Sequence, residues 1–575
     1  MIRVADYVAK TLADYGVRHV FMVTGGGAMH LNDAIGKCSN LTYVCNHHEQ
    51  ASAMAAESYT RLYGKLAVVC VTTGPGGINA LNGVFGAWVD SIPMLIISGQ
   101  VRYDTTVRST GLNLRQLGDQ ECDITQIAAP ICKMAAMVTD PRQIRHDLER
   151  ALFLSRVGRP GPCWVDIPMN VQGAYVEETT LQPYDPTEDE GQVPPIVSTQ
   201  LVGELIERIS KAERPVILAG SAVRSSGAYT DFLEAIDRMG IPVTTAWNAH
   251  DLLWDDHPLY CGRPGTIGDR AGNFAVQNAD LLLVLGCRLN IRQIGYNWET
   301  FARAAFKIIV DIDPLELRKP TIHPDLPIHA DVAAFIRTLL QILPQREMVR
   351  SSWLEWCQER RRRYPVVLPD YWKQENRVNP YCFIDCLTSR LPEGQTTIIS
   401  NGTACVVTFQ AARIKQRQRL YTNSGCASMG YELPAAIGAC FASGGEKIVC
   451  IAGDGSIQMN LQELATIAYH HLPIKIFLLN NGGYHSIRQT QESFFGPPFI
   501  GIGPESGVGF PKMSGIAEAY GFPYRSCTSH AEMAKTIDET MRSDGPAICE
   551  VFLNPDQPFA PKAASIKLPD GRIVS

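Results

Sequence analysis

Several features that would quickly place a chain of 575 residues are missing from this one. No stretch approaches the ~18 uninterrupted apolar residues of a membrane-spanning helix. Basic residues are not in excess: 52 Lys and Arg stand against 58 Asp and Glu, for a formal net charge of -6. That balance argues against nucleic acid or an anionic membrane as the main partner. None of the 17 cysteines forms a C-x-x-C pair; the closest two, Cys382 and Cys386, are one helical turn apart. Cys70, Cys163, Cys287, Cys450 and Cys549 lie in apolar runs, where a thiol packs as a small hydrophobe. The G-x-G-x-x-G spacing of a dinucleotide fingerprint is also absent, which weakens a nicotinamide dehydrogenase reading. Residues Met1 to Lys10 read as an amphipathic helix, with Asp6 and Lys10 where a signal peptide needs apolar residues. The chain is expected to be cytoplasmic, reduced and soluble.

What is present is an ordinary globular composition, 45% apolar and 19% charged. Length gives a prior of about four domains, or three if they are larger α/β units. Short β-branched runs alternate with helix-length segments: His19–Val23, Ala67–Thr72, Met94–Ser98 and Pro162–Ile167 in a first block. A second holds Pro215–Ala219, Leu281–Leu285 and Ile308–Ile312; a third holds Thr397–Ser400, Lys447–Ala452, Ile474–Leu479 and Ala547–Val551. Such runs, bounded by Gly or Pro, indicate parallel βαβ sheets covered on both faces. An acidic, Pro-rich stretch from Tyr184 to Pro195 and a charged one from Gln358 to Pro369 read as linkers. The expected architecture is α/β, three doubly wound parallel-sheet domains at 1–183, 190–350 and 365–560, with a tail at 561–575. Chemistry in such sheets sits at the C-terminal strand ends.

The strongest constellation lies in the third block. The strand Lys447–Ala452 runs into Gly453-Asp454-Gly455-Ser456, and the next, Ile474–Leu479, ends in Asn480-Asn481-Gly482-Gly483. One crossover therefore sets Asp454 and Asn481 at adjacent strand tips. A carboxylate, an amide oxygen and a backbone carbonyl are hard donors that suit Mg²⁺ with phosphate and water in its other positions. Gly-Asp-Gly alone would be read as a turn; the pairing with Asn-Asn-Gly-Gly is what argues against that. In the first block, Glu49 of Cys45-Asn46-His47-His48-Glu49-Gln50 follows a short strand and opens an alanine-rich helix. A carboxyl desolvated among Ala51, Ala53, Met54 and Ala55 is suited to exchanging a proton with a heterocyclic nitrogen; taken alone, it reads sooner as a helix N-terminal carboxylate on the dipole. His47 and His48 have no third partner at ligand spacing and read as structural. Gly25-Gly26-Gly27-Ala28 and Thr72-Thr73-Gly74-Pro75-Gly76-Gly77 follow strands and permit close approach to a ligand.

Together these residues resemble the thiamine-diphosphate enzymes, and specifically the acetohydroxyacid (acetolactate) synthase group, over nearly the whole chain. The resemblance implies pyrimidine-binding, central and diphosphate-binding domains in that order. It implies that Asp454, Asn481 and the Gly483 carbonyl hold Mg²⁺ on the diphosphate. Glu49 matches the glutamate that contacts the aminopyrimidine, with Gly26, Gly27 and Gln120 completing the expected catalytic set. Thr72, Pro75 and Asn79 match the pyrimidine side. Gly402, Thr403 and Ala404 match the diphosphate loop, with Gly453, Gly455 and Ser456 around the metal. Ala427 and Met429 belong to the segment whose Met is the apolar wedge that bends the cofactor. The implied reaction decarboxylates a 2-oxo acid, pyruvate first among them, and passes the two-carbon unit to a carbonyl acceptor. Glu49 would reach a cofactor held by another subunit, so a homodimer or homotetramer is implied.

The central block resembles that of the flavin-containing synthases. Arg159, Gly220, Arg288, Asp311, Ile312, Asp331 and Val332 match positions that hold FAD, and Arg292 is placed with them; acidic strand tips suit ribose hydroxyls and Arg a pyrophosphate. Such a FAD would be structural, and the alternative is a domain that kept its fold without the nucleotide. The match departs from the synthases near the acceptor. Met169 stands where they have lysine, Thr490 where they have tryptophan, and Asp119 precedes Gln120 where they have phenylalanine, while Arg292 aligns with the arginine that receives the acceptor carboxylate. These changes make the site more hydrophilic. Acetolactate formation and transfer to a nucleotide-linked keto-sugar in polysaccharide synthesis are two versions of the same reaction; Met169 and Thr490 favour the second, suggested also by Val23–His30 and Gln116–Glu121. Simple decarboxylation or oxidation of the 2-oxo acid is a further alternative. A degenerate, non-catalytic paralogue is disfavoured because Glu49, Asp454 and Asn481 are all present.

Overall fold

A computed structural model describes residues 1–344 and 351–563, with the backbone of Ile566–Lys567 and Ile573–Val574. The domain limit expected at residue 350 and most of the 561–575 tail lie outside the described residues. Three parallel sheets follow the three blocks. In spatial order the first runs Thr42–Cys45, His19–Met22, Val68–Val71, Met94–Gln100, Pro162–Pro168, Met134–Met137. The third runs Arg419–Tyr421, Thr396–Ile399, Ile448–Gly453, Ile474–Asn480, Ala547–Phe552, Tyr524–Cys527. Numbered by position in the chain, both sheets have the order 2-1-3-4-6-5. The five-stranded central sheet runs Val243–Thr245, Pro215–Ala219, Leu281–Leu285, Phe306–Asp311, Leu326–His329. The chain is thus an α/β protein of three doubly wound domains.

The inner strands are the apolar runs legible in the sequence. Val68–Val71, Pro215–Ala219 and Leu281–Leu285 are buried at every position, because helices cover both faces of each sheet. Five of the six strands at the sheet margins do not stand out in the sequence, and Thr42–Cys45 is legible only as a short strand. These segments are brief and mixed, such as Arg-Leu-Tyr at 419–421 and Tyr-Arg-Ser-Cys at 524–527, since an edge strand needs partners on one side only.

The first and third domains share one core. The helix Glu49–Tyr63 packs on Pro75–Asp90 within its own domain and on Glu432–Ala442 of the third. It is buried at every position from Ala51 to Thr60, and Ala51, Ala53, Ala55 and Ala56 are small enough for backbones to approach closely. Gly438 marks the tightest point: a Cβ there would lie 2.0 Å from the Ala55 carbonyl oxygen. Among the described residues no helix is long and apolar enough to cross a membrane.

Candidate active site

In the third domain, Ile448–Gly453 and Ile474–Asn480 are neighbours whose register pairs Gly453 with Leu479. The ladder continues one step further, the Asp454 N–H donating to the Leu479 carbonyl (3.2 Å). Asp454 and Asn481 therefore emerge side by side. Asp454 Oδ1 accepts from the Gly455 N–H (2.8 Å), and Oδ2 from the N–H groups of Asn481 (3.2 Å) and Gly483 (2.9 Å). Burial pushes this carboxyl up to about 6, against the lowering effect of those N–H groups. Gly483 sits at φ +130°, and a Cβ there would lie 1.9 Å from the Ile502 carbonyl oxygen, so only glycine fits. Its own carbonyl accepts the His485 N–H (3.0 Å) and keeps a second lone pair.

Asn481 Nδ2 donates to Thr403 Oγ1 (3.1 Å), joining this turn to the segment Gly402, Thr403, Ala404. Gly402, at φ +75°, carries the chain into the helix Thr403–Ala411. Asn481 Oδ1, in contrast, is buried with no hydrogen-bond partner. A buried orphan acceptor costs about 1–3 kcal/mol; beside a buried carboxylate, its natural complement is a cation. The donor set of carboxylate, amide oxygen and carbonyl fits a hard ion such as Mg²⁺.

Ser456 ties in the remaining loop. Its hydroxyl accepts from the Gly430 N–H (2.8 Å) and donates to Glu432 Oε2 (3.0 Å). Asn401 Nδ2 donates to the Ser428 carbonyl (2.7 Å), and Ala427 takes φ +59°. Ala427 and Met429 are thus held between the diphosphate-side loop and the Gly-Asp-Gly-Ser turn, and Met429 remains 39% exposed. Glu432, fully buried and pushed up to about 7 by burial, carried no signal in the sequence.

The first-domain residues also come together. Glu49 opens its helix, capped by His48, whose Nδ1 accepts the Gln50 N–H (3.0 Å). Asn79 Nδ2 donates to Glu49 Oε2 (3.0 Å). Thr72 Oγ1 accepts the Gly27 N–H (3.1 Å), and a Cβ on Gly76 would lie 2.8 Å from Thr72 and 3.6 Å from Glu49 Oε1. Asn79 therefore touches Glu49 directly, Gly76 lies between Glu49 and Thr72, and Thr72 carries Gly27, with Gly26 and Pro75 the chain neighbours of these residues. Gln120, at φ +60°, joins them through its backbone: its carbonyl accepts from Thr73 Oγ1 (3.4 Å) and lies 2.4 Å from where a Gly74 Cβ would be. Behind them Gln100 donates to Asp166 Oδ2 (3.1 Å) and accepts from Thr73 Oγ1 (2.6 Å).

Among the described residues no hydrogen bond joins Glu49 to the third domain, but its neighbours are joined to it. Glu463, fully buried, accepts from Asn46 Nδ2 (2.8 Å) and the His47 N–H (2.9 Å). Asn82 accepts from Ser428 Oγ (2.6 Å) and donates to Gln50 Oε1 (3.1 Å). Glu463 and Asn82 escaped sequence reasoning, since neither stands in a recognisable pattern.

In the central domain the chain order reverses between Pro215–Ala219 and Leu281–Leu285, whose tips are Gly220 and Gly286. A Cβ on Gly220 would lie 2.1 Å from the Gly286 carbonyl oxygen. Gly220, Arg288, Asp311, Ile312 and Arg159 line the crevice at this switch point, the place where such sheets bind nucleotides. An adjoining cavity of about 770 Å³ is also lined by Arg159, Arg288 and Ile312. Asp311, buried, is pushed up to about 6. Val332 lies against Gly286, and Asp331 caps the helix Val332–Ile342 through the Ala334 N–H (2.9 Å). Two residues are otherwise engaged. Arg159 pairs with Asp313 (2.9 Å) and Glu316 (3.0 Å), and Arg292 stacks on Trp247 at 5.2 Å. The Thr490 hydroxyl donates to the Ser486 carbonyl (3.0 Å), so this side chain presents less polarity than its identity suggests.

These three domains and the paired site define a thiamine pyrophosphate enzyme (thiamine diphosphate under its other name). Residues 2–127 match the description "Thiamine pyrophosphate enzyme, N-terminal TPP binding domain", 202–339 the central domain and 400–551 the C-terminal TPP binding domain. The chain is 31% identical over 562 residues to the acetolactate synthase large subunit of Porphyra purpurea, covering 95% of this chain and 91% of that one. It is 30% identical to the acetolactate synthase isozyme 1 large subunit of Escherichia coli, covering 98% and 96%. Against the probable acetolactate synthase large subunit of Methanocaldococcus jannaschii the identity is 30%, covering 99% and 94%. The chain belongs to the acetolactate synthase-like family of thiamine pyrophosphate enzymes, and is a thiamine-pyrophosphate-dependent enzyme that forms carbon–carbon bonds.

Proposed function

We propose that the enzyme decarboxylates pyruvate and joins the two-carbon unit to a second 2-oxo acid, as the names of its relatives describe. The observation that supports this most is the buried Asp454–Asn481–Gly483 turn with its orphan Asn481 oxygen, in a chain that also presents Glu49 between Thr72, Gly76 and Asn79. In this reading Asp454, Asn481 Oδ1 and the Gly483 carbonyl hold Mg²⁺ against the cofactor diphosphate. Gly402, Thr403, Ala404, Gly453, Gly455 and Ser456 cradle that end, and Ala427 and Met429 support its middle. When bound, thiamine pyrophosphate supplies the electron sink that stabilises a carbanion. Glu49 holds and returns a proton at the aminopyrimidine, and Asn79 keeps the carboxylate aimed. Gly26, Gly27 and Gln120 border the space where substrate sits.

FAD is proposed as a structural cofactor in the central crevice, which Gly220, Arg288, Asp311 and Ile312 line, with Asp331 and Val332 proposed to join them from the start of the helix Val332–Ile342. The switch-point geometry and buried Asp311 favour it, and Arg159 would have to share itself with Asp313 and Glu316. We take 1–183, 190–350 and 365–560 as the domain limits and the cytoplasm as the location. A homodimer or homotetramer with active sites between subunits is supported by Ile78 and Phe85, 48% and 39% exposed on one face of the helix Pro75–Asp90, and by the exposed Met429 and Met459 of the third domain. The test is mass spectrometry of products formed from pyruvate with thiamine pyrophosphate, Mg²⁺ and FAD. Acetolactate in quantity is the expected result; CO₂ release without it overturns the acceptor assignment.

A further inference from the structure

Where the three domains meet lies a cavity of about 410 Å³ that adjoins the central crevice, sharing Asp90, Pro160, Ser221, Ser225 and Asn248 with it, and that no step proposed above uses. Four arginines line it: Arg61 and Arg156 from the first domain, Arg224 from the central and Arg419 from the third. Two carboxylates, Asp90 and Asp251, face them. The pairing is unequal. Arg61 is held by Asp90 (2.7 Å) and by Glu57 behind it. Arg419 Nε takes Asp251 Oδ2 (2.7 Å). Arg224 stacks on the Tyr229 ring (3.9 Å) and donates to the Asp251 backbone carbonyl (2.7 Å), while its Nε is 3.8 Å from Asp251 Oδ1 and is buried without a hydrogen-bond partner. Arg156 is exposed and pairs with no carboxylate among the described residues, its guanidinium lying 5.9 Å from the Tyr15 ring. Counting Glu57, one positive charge is uncompensated.

We propose that this junction binds a small organic phosphate with a ring body of mononucleotide size. Arginines arriving from three domains match a tetrahedral phosphoryl group, whose three terminal oxygens can accept from separate forks; a carboxylate offers two oxygens in one plane. The remaining wall supplies the ring's surroundings. Tyr421 lies 5.6 Å from both Arg61 and Arg419, and Tyr63, Ile92 and Pro93 stand beside it. The volume falls at the small end of ligand sites. An occupant would clamp the three domains, and it would touch the far end of the helix that begins at Glu49.

The test is isothermal titration calorimetry of the holoenzyme, saturated with thiamine pyrophosphate, Mg²⁺ and FAD, with AMP, ribose 5-phosphate and inorganic phosphate. AMP or ribose 5-phosphate is expected to bind more tightly than inorganic phosphate, the better of the two distinguishing a nucleotide from a sugar phosphate. R224Q and R156Q are each expected to weaken that binding at least about tenfold, the scale of one charge-assisted contact. R156Q removes an exposed, unpaired side chain, so it tests the site even if R224Q fails to fold. Three results overturn the proposal: no probe binding below about 5 mM, inorganic phosphate binding as tightly as the ring-bearing ligands, or affinity unchanged in R156Q. Binding seen only without FAD also overturns it, since the ligand would then occupy the central crevice.

Discussion

Replacing Gly438 by alanine tests whether the contact between the first and third domains controls both stability and the site. The new Cβ would lie 2.0 Å from the Ala55 carbonyl oxygen, 2.8 Å from its carbon and 3.0 Å from its Cα. All three are backbone atoms, so no rotamer change relieves the clash, and the helices Glu49–Tyr63 and Glu432–Ala442 must separate by more than an ångström. Overpacking of this kind costs about 1–3 kcal/mol. Better helix propensity returns up to about 1 kcal/mol, so net destabilisation is expected. Ala55 lies six residues from Glu49 on one rigid helix, so activity should fall as well. Gly203, inside the helix Thr199–Lys211, is the control: a Cβ there meets nothing within 4 Å, so G203A should gain the propensity without a clash. Calorimetric unfolding and steady-state turnover of both variants are the assays. Gly438→Ala as stable and active as the parent, or equal shifts in the two variants, would refute the reasoning.

Glu49→Gln keeps the Asn79 contact but not the proton exchange; turnover should drop by about 10²–10⁴ while cofactor binding persists, which steady-state kinetics and cofactor titration separate. Asp454→Ala should weaken Mg²⁺-dependent cofactor affinity by more than about tenfold; fluorescence titration showing no change would remove the metal site. The Asp166 carboxyl is fully buried and raised to about 7, chiefly by burial. The folded chain therefore holds a proton that the unfolded chain releases above about 4, so this group's contribution to stability declines as pH rises from about 4 to 7, by up to about 1.4 kcal/mol per unit. Asp166→Asn should flatten that decline, and unfolding measured at pH 5 and 7 checks it.

The inner strands and the Asp454–Asn481 pair were legible because local order determines them. A strand covered on both faces must be apolar along its whole length, and one parallel crossover sets consecutive strand tips side by side. Glu49, Thr72 and Asn79 were legible as a group only by resemblance, since nothing in their spacing says that a helix start, a strand end and a second helix converge. The edge strands were largely illegible, because one-sided pairing demands little of the side chains. Glu463, Glu432 and the arginines of the junction left no trace at all. Arg61, Arg224 and Arg419 read in sequence as ordinary helix-surface or strand-end charges. Only the packing of three domains brings them around one cavity, and only there does the shortage of carboxylates become a property of the protein. The sequence by itself determined three parallel sheets and the chemistry at their tips. The tertiary structure decided which tips face one another, which polar atoms are left unpaired, and what the space between the domains can hold.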